Sequence, residues 1–152
     1  MKWYVKLALI FGGIILAIAA FILYDQLSEG KILHRELLKG TRNVEHTVKI
    51  EIQNPGKTHI LRIHPSIESG WGDPDVYIKA TLLDPENNVL LTVGKETLFG
   101  KKRITPTYRR SYSDYEENFI FTPSLSGKYT LKLTVLTDHV KDVYVAIIER
   151  RN

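Results

Sequence analysis

From Leu7 to Tyr24 the chain runs for 18 residues without a charged or strongly polar side chain. At about 1.5 Å per residue, a helix of that length covers most of the ~30 Å hydrocarbon layer of a bilayer. Trp3, Tyr4 and Val5 extend the run toward the start with Lys6 as the sole interruption. Trp3, Tyr4 and Tyr24 occupy the positions of interfacial aromatic belts, and Lys6 is close enough to the end to snorkel. A buried helix of a soluble protein would need apolar partners all round, and the rest of the chain alternates too regularly to supply them. Residues 1–24 are therefore predicted to form a transmembrane anchor. The rival reading is a cleaved signal peptide: Met1-Lys2 is a basic start and Ala17-Ile18-Ala19 a small-x-small triplet, but the apolar run continues five residues past Ala19. An uncleaved signal anchor is the reading adopted.

Lys2 and Lys6 flank one end of the span, while Lys31, Arg35, Lys39 and Arg42 follow the other. A plain count favours the C-terminal part inside. The basic residues nearest the span, and the likeness of a short basic start plus apolar run to a secretion-type anchor, favour the opposite. The expected topology is a single pass with the N-terminus cytoplasmic and the C-terminal domain extracytoplasmic. Ala8 and Gly12, and again Gly13 and Ala17, are spaced by four, which lets a second helix approach closely in the membrane.

Residues 25–43 change character. Leu27, Ile32, Leu33, Glu36, Leu37 and Leu38 give a short helical period, weakened by Gly30 and ended by Gly40. The segment reads as a juxtamembrane helix or linker tucking its leucines against the domain, with a contact helix for a membrane partner as the alternative. From Val44 the period becomes two. Val48, Ile50 and Ile52 alternate with Thr47, Lys49 and Glu51. Turn clusters at Asn54-Pro55-Gly56-Lys57, Gly70-Trp71-Gly72-Asp73-Pro74, Asp84-Pro85-Glu86-Asn87-Asn88, Pro123-Ser124-Leu125-Ser126-Gly127 and Asp138-His139-Val140-Lys141 separate further runs. Val76 to Leu83, Val89 to Val93, a stretch near Arg103 to Tyr112, Asn118 to Thr122, Tyr129 to Val135 and Val143 to Ile147 are expected as strands. Seven or eight short strands over residues 44–152 is the pattern of an antiparallel, jelly-roll-like β-sandwich, so the chain is predicted to be mainly β behind one N-terminal helix.

Asp75-Val76-Tyr77-Ile78, then Leu83-Asp84-Pro85-Glu86-Asn87-Asn88-Val89-Leu90, Phe119-Ile120-Phe121-Thr122-Pro123 and Ser126-Gly127-Lys128-Tyr129-Thr130-Leu131 follow a familiar succession. It resembles the jelly-roll sandwiches of the bacterial pre-peptidase C-terminal (PPC) type and the GOLD domains of membrane-trafficking proteins. The resemblance spans about residues 44–150, rests on turn and core residues, and implies a noncatalytic binding or packing module. Trafficking GOLD proteins carry cysteines and a C-terminal anchor, and this sequence has neither. Gly72-Asp73-Pro74-Asp75-Val76-Tyr77-Ile78-Lys79 is also similar to a strand of synaptotagmin-type calcium-dependent lipid-binding sandwiches. That likeness implies a calcium set of Asp73, Asp75, Asp138 and Asp142. Calcium takes six to eight oxygens from converging loops, whereas Asp-Pro pairs more often shape turns, and the adopted reading is no metal and no cofactor.

Other chemistry finds little support. With no cysteine there is no thiolate zinc site, Cys nucleophile or disulfide scaffold. No phosphate loop, dinucleotide fingerprint or nucleophile elbow occurs. Adjacent Glu116 and Glu117 fall on opposite faces of a strand. His34, His46, His59, His64 and His139 are read as surface or turn residues, and His59 and His64, five apart, cannot grip one ion from a single strand. No catalytic residue or small-molecule substrate is identified, and the expectation is that the protein is not an enzyme. With Lys2 and Lys6 set aside, 19 basic residues face 17 acidic ones, too even a balance for a nucleic-acid partner. The chemically distinctive segment is Lys101, Lys102, Arg103, Tyr108, Arg109, Arg110 and Tyr112, where cations sit beside aromatic rings and could hold an anionic headgroup, a glycan or a protein. Its alternative is a solvated hairpin with edge-guarding charges. Trp71 could stack a sugar ring, but is expected to plug an end of the sandwich. The function expected is a membrane-anchored, noncatalytic interaction or structural subunit, an accessory component of a larger membrane complex whose partners are the bilayer and other membrane proteins. The alternative is a ligand-binding module for lipid headgroups, calcium-bridged membrane or carbohydrate.

Overall fold

The computed structural model describes residues 3–100 and 115–151. The chain divides into two compact units, Met1–Lys31 and Ile32–Arg150. The first is a single helix, α1 (Trp3–Glu29). Over Trp3–Tyr24 it is long and apolar enough to cross a membrane, and none of that window is buried within the protein. The helix continues past Tyr24 to Glu29, because nothing in Asp25–Glu29 breaks the backbone pattern before Gly30.

The second unit is built of strands β1 (Lys31–Lys39), β2 (Glu45–Ile52), β3 (His59–Ile67), β4 (Val76–Leu83), β5 (Val89–Val93), β6 (Leu98–Phe99), β7 (Glu117–Phe121), β8 (Gly127–Val135) and β9 (Val140–Glu149). They form two antiparallel sheets in the orders β1-β9-β3-β7 and β2-β8-β4-β5, with the short β6 added against β4. The chain passes back and forth between the sheets, so strands distant in sequence become neighbours, which is jelly-roll winding. The predicted mainly-β sandwich is what forms, and β4 and β5 have the bounds the alternation gives them.

The period of two places the core. Val48, Ile50 and Ile52 of β2, Leu61 and Ile63 of β3, Ile78 and Leu82 of β4, Tyr129, Leu131 and Leu133 of β8, and Val145 and Ile147 of β9 are buried between the sheets. Full burial of each such aliphatic side chain is worth roughly 1.5–3 kcal/mol. The pairing β2–β8 runs without a slip from Glu45↔Thr134 to Ile52↔Gly127, so its inner row meets the inner row of β8 along the whole strand.

One expectation is overturned. The juxtamembrane helix predicted over residues 25–43 is instead the end of α1 followed by β1, an edge strand beside β9. The adjacent pairs Ile32-Leu33 and Leu37-Leu38 imitate helical spacing, but here they straddle a strand, Leu38 turned inward and Leu37 exposed. Gly40 does not cap a helix. Its N–H donates to the Lys141 carbonyl at 3.0 Å, and a side chain there would collide with the Val140 carbonyl.

Candidate functional site

Connections between strands gather at two ends of the sandwich. The base, where the chain comes in at Ile32, holds the β2–β3, β4–β5 and β7–β8 turns. The crown holds the β1–β2, β3–β4 and β8–β9 connections and Tyr115, just before β7.

At the crown the Gly70-Trp71-Gly72 turn runs out from β3. Both glycines have positive φ, +91° and +66°, a backbone that L side chains resist, so the triplet bends sharply with tryptophan at its apex. The indole does not plug the sandwich as expected. It is 54 % exposed and lies flat on the His139 imidazole, ring centroids 3.5 Å apart and planes 16° from parallel. His139 takes a left-handed backbone, φ 68°, and its carbonyl accepts from the Glu68 N–H at 2.9 Å, which ties the β8–β9 turn to the end of β3. The Tyr115 hydroxyl donates to the Pro74 carbonyl at 3.2 Å, and the Tyr115 ring is buried. Beside His139, Asp138 receives the Arg42 guanidinium at 3.0 Å. Both partners of that ion pair are more than half exposed.

At the base two polar side chains, His59 and Glu149, turn inward. His59 is fully buried and packs on Phe121. Its Nδ1 lies 2.8 Å from the Lys57 carbonyl, which can only accept, so Nδ1 carries the hydrogen. Nε2 has no hydrogen-bond partner and faces Glu149 Oε2 at 3.8 Å, beyond hydrogen-bond reach. Glu149 accepts from Asn54 Nδ2 at 2.9 Å and Lys57 Nζ at 3.3 Å. The Asn54 amide, against the opposing effect of burial and with help from Lys57 and His59, holds its carboxyl below the usual glutamate range. Asp84 closes its turn by accepting from the Glu86 and Asn88 backbone N–H groups and the Asn88 amide. Desolvation pushes that carboxyl up, but the Asn88 and Glu86 bonds outweigh it and the net shift is downward. The Tyr129 hydroxyl donates to the Leu125 carbonyl at 2.6 Å, and burial pushes the phenol above its ordinary range.

A third polar group is on the outer face of the β9-β3-β7 sheet. Glu116 lies 3.3 Å from Arg62 Nε and 3.5 Å from His64 Nδ1, and Asn118 accepts from the same Arg62 nitrogen at 3.0 Å. No spacing along the chain announces this network, because it needs the β3–β7 register to bring Arg62 opposite Asn118. The expectation that every histidine sits at the surface or in a turn fails for His59 and His64, both buried.

The predicted site residues fare unevenly. Lys101, Lys102, Arg103, Tyr108, Arg109, Arg110 and Tyr112 lie outside the described residues, as does the strand expected near Arg103 to Tyr112. Ala8, Gly12, Gly13 and Ala17 all lie on α1, with open space around both glycines. The aspartates Asp73, Asp75, Asp138 and Asp142 are not brought together: among the described residues no group of three or more His, Cys, Asp or Glu side chains is placed to hold a metal ion. Asp138 is engaged by Arg42, and Asp142 lies 3.6 Å from Lys39 Nζ.

No known family and no curated protein matches the chain. Among solved structures it is similar to a protein of Sulfurospirillum deleyianum, with 10 % identity, a TM-score of 0.45, and coverage of 78 % of this chain and 99 % of the other. It is also similar to the P-domain of Penaeus vannamei nodavirus, with 12 % identity, a TM-score of 0.40, and coverage of 80 % and 99 %.

Proposed function

We propose that this protein is a membrane-anchored, noncatalytic contact subunit: α1 holds it in the bilayer with its N-terminus in the cytoplasm, and the sandwich meets other membrane proteins outside. The observation that carries the reading is the division of labour in the sandwich. At the base Glu149, Asp84 and Tyr129 are engaged in bonds within the sandwich, while the crown carries an aromatic side chain in the open. Tryptophan is enriched among the side chains that anchor protein contacts, and Trp71 is held in the open on a tight turn. The topology is supported by Lys2 and Lys6, the basic residues nearest the span, at its N-terminal end. The likeness of the turn and core residues to PPC and GOLD sandwiches agrees with a packing module.

Electrophoresis at native mass after mild detergent extraction tests the reading. The chain is expected to stay in the membrane through an alkaline carbonate wash and to migrate with larger partners. A polypeptide that begins near Ala20 and runs alone in buffer overturns it. A second reading, a ligand-binding module, is favoured by the flat stack of Trp71 on His139.

A further inference from the structure

We infer that the free face of Trp71 is a platform for one hexopyranose ring of a β-linked oligosaccharide, a choice of ligand that rests on reading the sandwich as a contact module. The stack itself selects the ligand. With His139 sealing one face at 3.5 Å and nearly parallel, the indole keeps its remaining surface in solvent. What it offers is a single flat π face, fixed before any ligand arrives. The anchoring of His139 to Glu68 and the two left-handed glycines fix its direction, which lowers the ordering cost of binding.

A π face is electron-rich at its centre. Its complement is an apolar surface of weakly positive C–H bonds of about the same size, and a pyranose whose hydroxyls are all equatorial has one on each side. The surroundings agree. Arg42 and Asp138, held to each other at 3.0 Å, leave exposed planar groups next to His139, a donor and an acceptor suited to the hydroxyls at a ring's rim. The charges of this pair cancel each other, which suits a neutral polyol. A β-1,4 linkage keeps successive rings flat, and an α-linked chain curls away from a single platform.

The test uses the full chain in detergent micelles with cellohexaose, chitohexaose and maltohexaose, read by the shift of the Trp71 indole N–H resonance and by saturation transfer to the sugar. Trp71→Phe assigns that resonance against Trp3. The two β-linked hexaoses are expected to bind with a Kd on the order of 1 mM, as one ring on one platform should, and the better of them tells glucose from N-acetylglucosamine chains. Trp71→Ala is expected to weaken binding at least about tenfold and Trp71→Phe by only about threefold, with the amide spectrum of the sandwich unchanged in both. Equal binding of maltohexaose, binding that survives Trp71→Ala, or no transfer to any hexaose overturns the inference. If sugars fail while Trp71→Ala releases the chain from a native membrane complex, the crown is a protein contact: the sugar platform falls and the contact subunit stands.

Discussion

The base and the crown of one sandwich solve opposite problems. At the base, His59 and Glu149 are buried, Glu149 is bonded to Asn54 and Lys57, the Gly56 N–H donates to the Pro123 carbonyl at 2.7 Å, and Tyr129 reaches Leu125. The β2–β3 and β7–β8 turns are thereby sewn to each other, and the first of them to the last strand. At the crown, the most conspicuous side chain is held in the open and its neighbours form an exposed ion pair. Buried hydrogen-bonded polar groups are costly to disturb, and exposed pairs contribute little. Stability should therefore concentrate at the base, leaving the crown's chemistry free for contact.

The largest expected effect tests the base directly. Tyr129→Ala removes a fully buried ring and the bond to Leu125, and should cost about 3–5 kcal/mol, as other large-to-small changes at buried aromatic sites do. Urea unfolding of the full chain in micelles, followed by near-ultraviolet circular dichroism, measures it. A cost below about 1 kcal/mol would mean that the β7–β8 turn does not hold the base together.

Glu149 comes next. Glu149→Leu removes the charged acceptor shared by Asn54 and Lys57, whose exposed donors turn to water, for an expected loss of about 1–2 kcal/mol. The wild-type carboxyl also makes stability depend on acid. Its folded value lies below its unfolded one, so its contribution is complete above the ordinary glutamate range and is lost as pH falls through the depressed folded value. Asp84 is shifted in the same direction. Glu149→Gln should flatten the acid limb of a stability–pH profile in part, with Asp84 supplying the remaining slope. A profile unchanged by Glu149→Gln would remove the base's claim to an ionised, bonded glutamate.

These two ends differed in how far the sequence disclosed them. The apolar N-terminal helix was legible because composition alone defines it. β4 and β5 were legible because alternation is interrupted by a turn whose aspartate and asparagine close on each other. β1 was not, since Ile32-Leu33 and Leu37-Leu38 carry helical spacing, and only pairing with β9 decides between the two structures. The buried His59 could not be foreseen either: its surroundings come from register, His59 opposite both Glu149 and Phe121. Trp71 was noticed but misplaced, because the imidazole that draws it outward sits in a turn of another strand pair. What a sequence hides here is contact between distant turns, and both ends of the sandwich are made of it.

At the crown the same measurements should return small numbers. Trp71→Ala removes one stacked pair, worth about 0.5–1.5 kcal/mol, and leaves the core between the sheets untouched. A loss above about 3 kcal/mol would show that the indole is a structural plug after all and would end the contrast between the two ends.

The smallest effect is the sharpest discriminator. Arg42 and Asp138 meet at 3.0 Å with both side chains more than half in solvent, so water and salt screen the attraction and two flexible chains lose freedom to make it. A double-mutant cycle of Arg42→Ala and Asp138→Ala should give a coupling of about 0.2–1 kcal/mol that shrinks between low and high salt. The β1–β2 connection would keep its place without the pair, because the Asn43 N–H donates to the Val135 carbonyl at 2.8 Å and Gly40 is bonded to Lys141. A coupling above about 2 kcal/mol that ignores salt would mean that the pair is shielded and builds the crown as Glu149 builds the base. A weak, salt-sensitive coupling leaves both charged groups available to a ligand at almost no cost to the fold, which is what a contact surface requires.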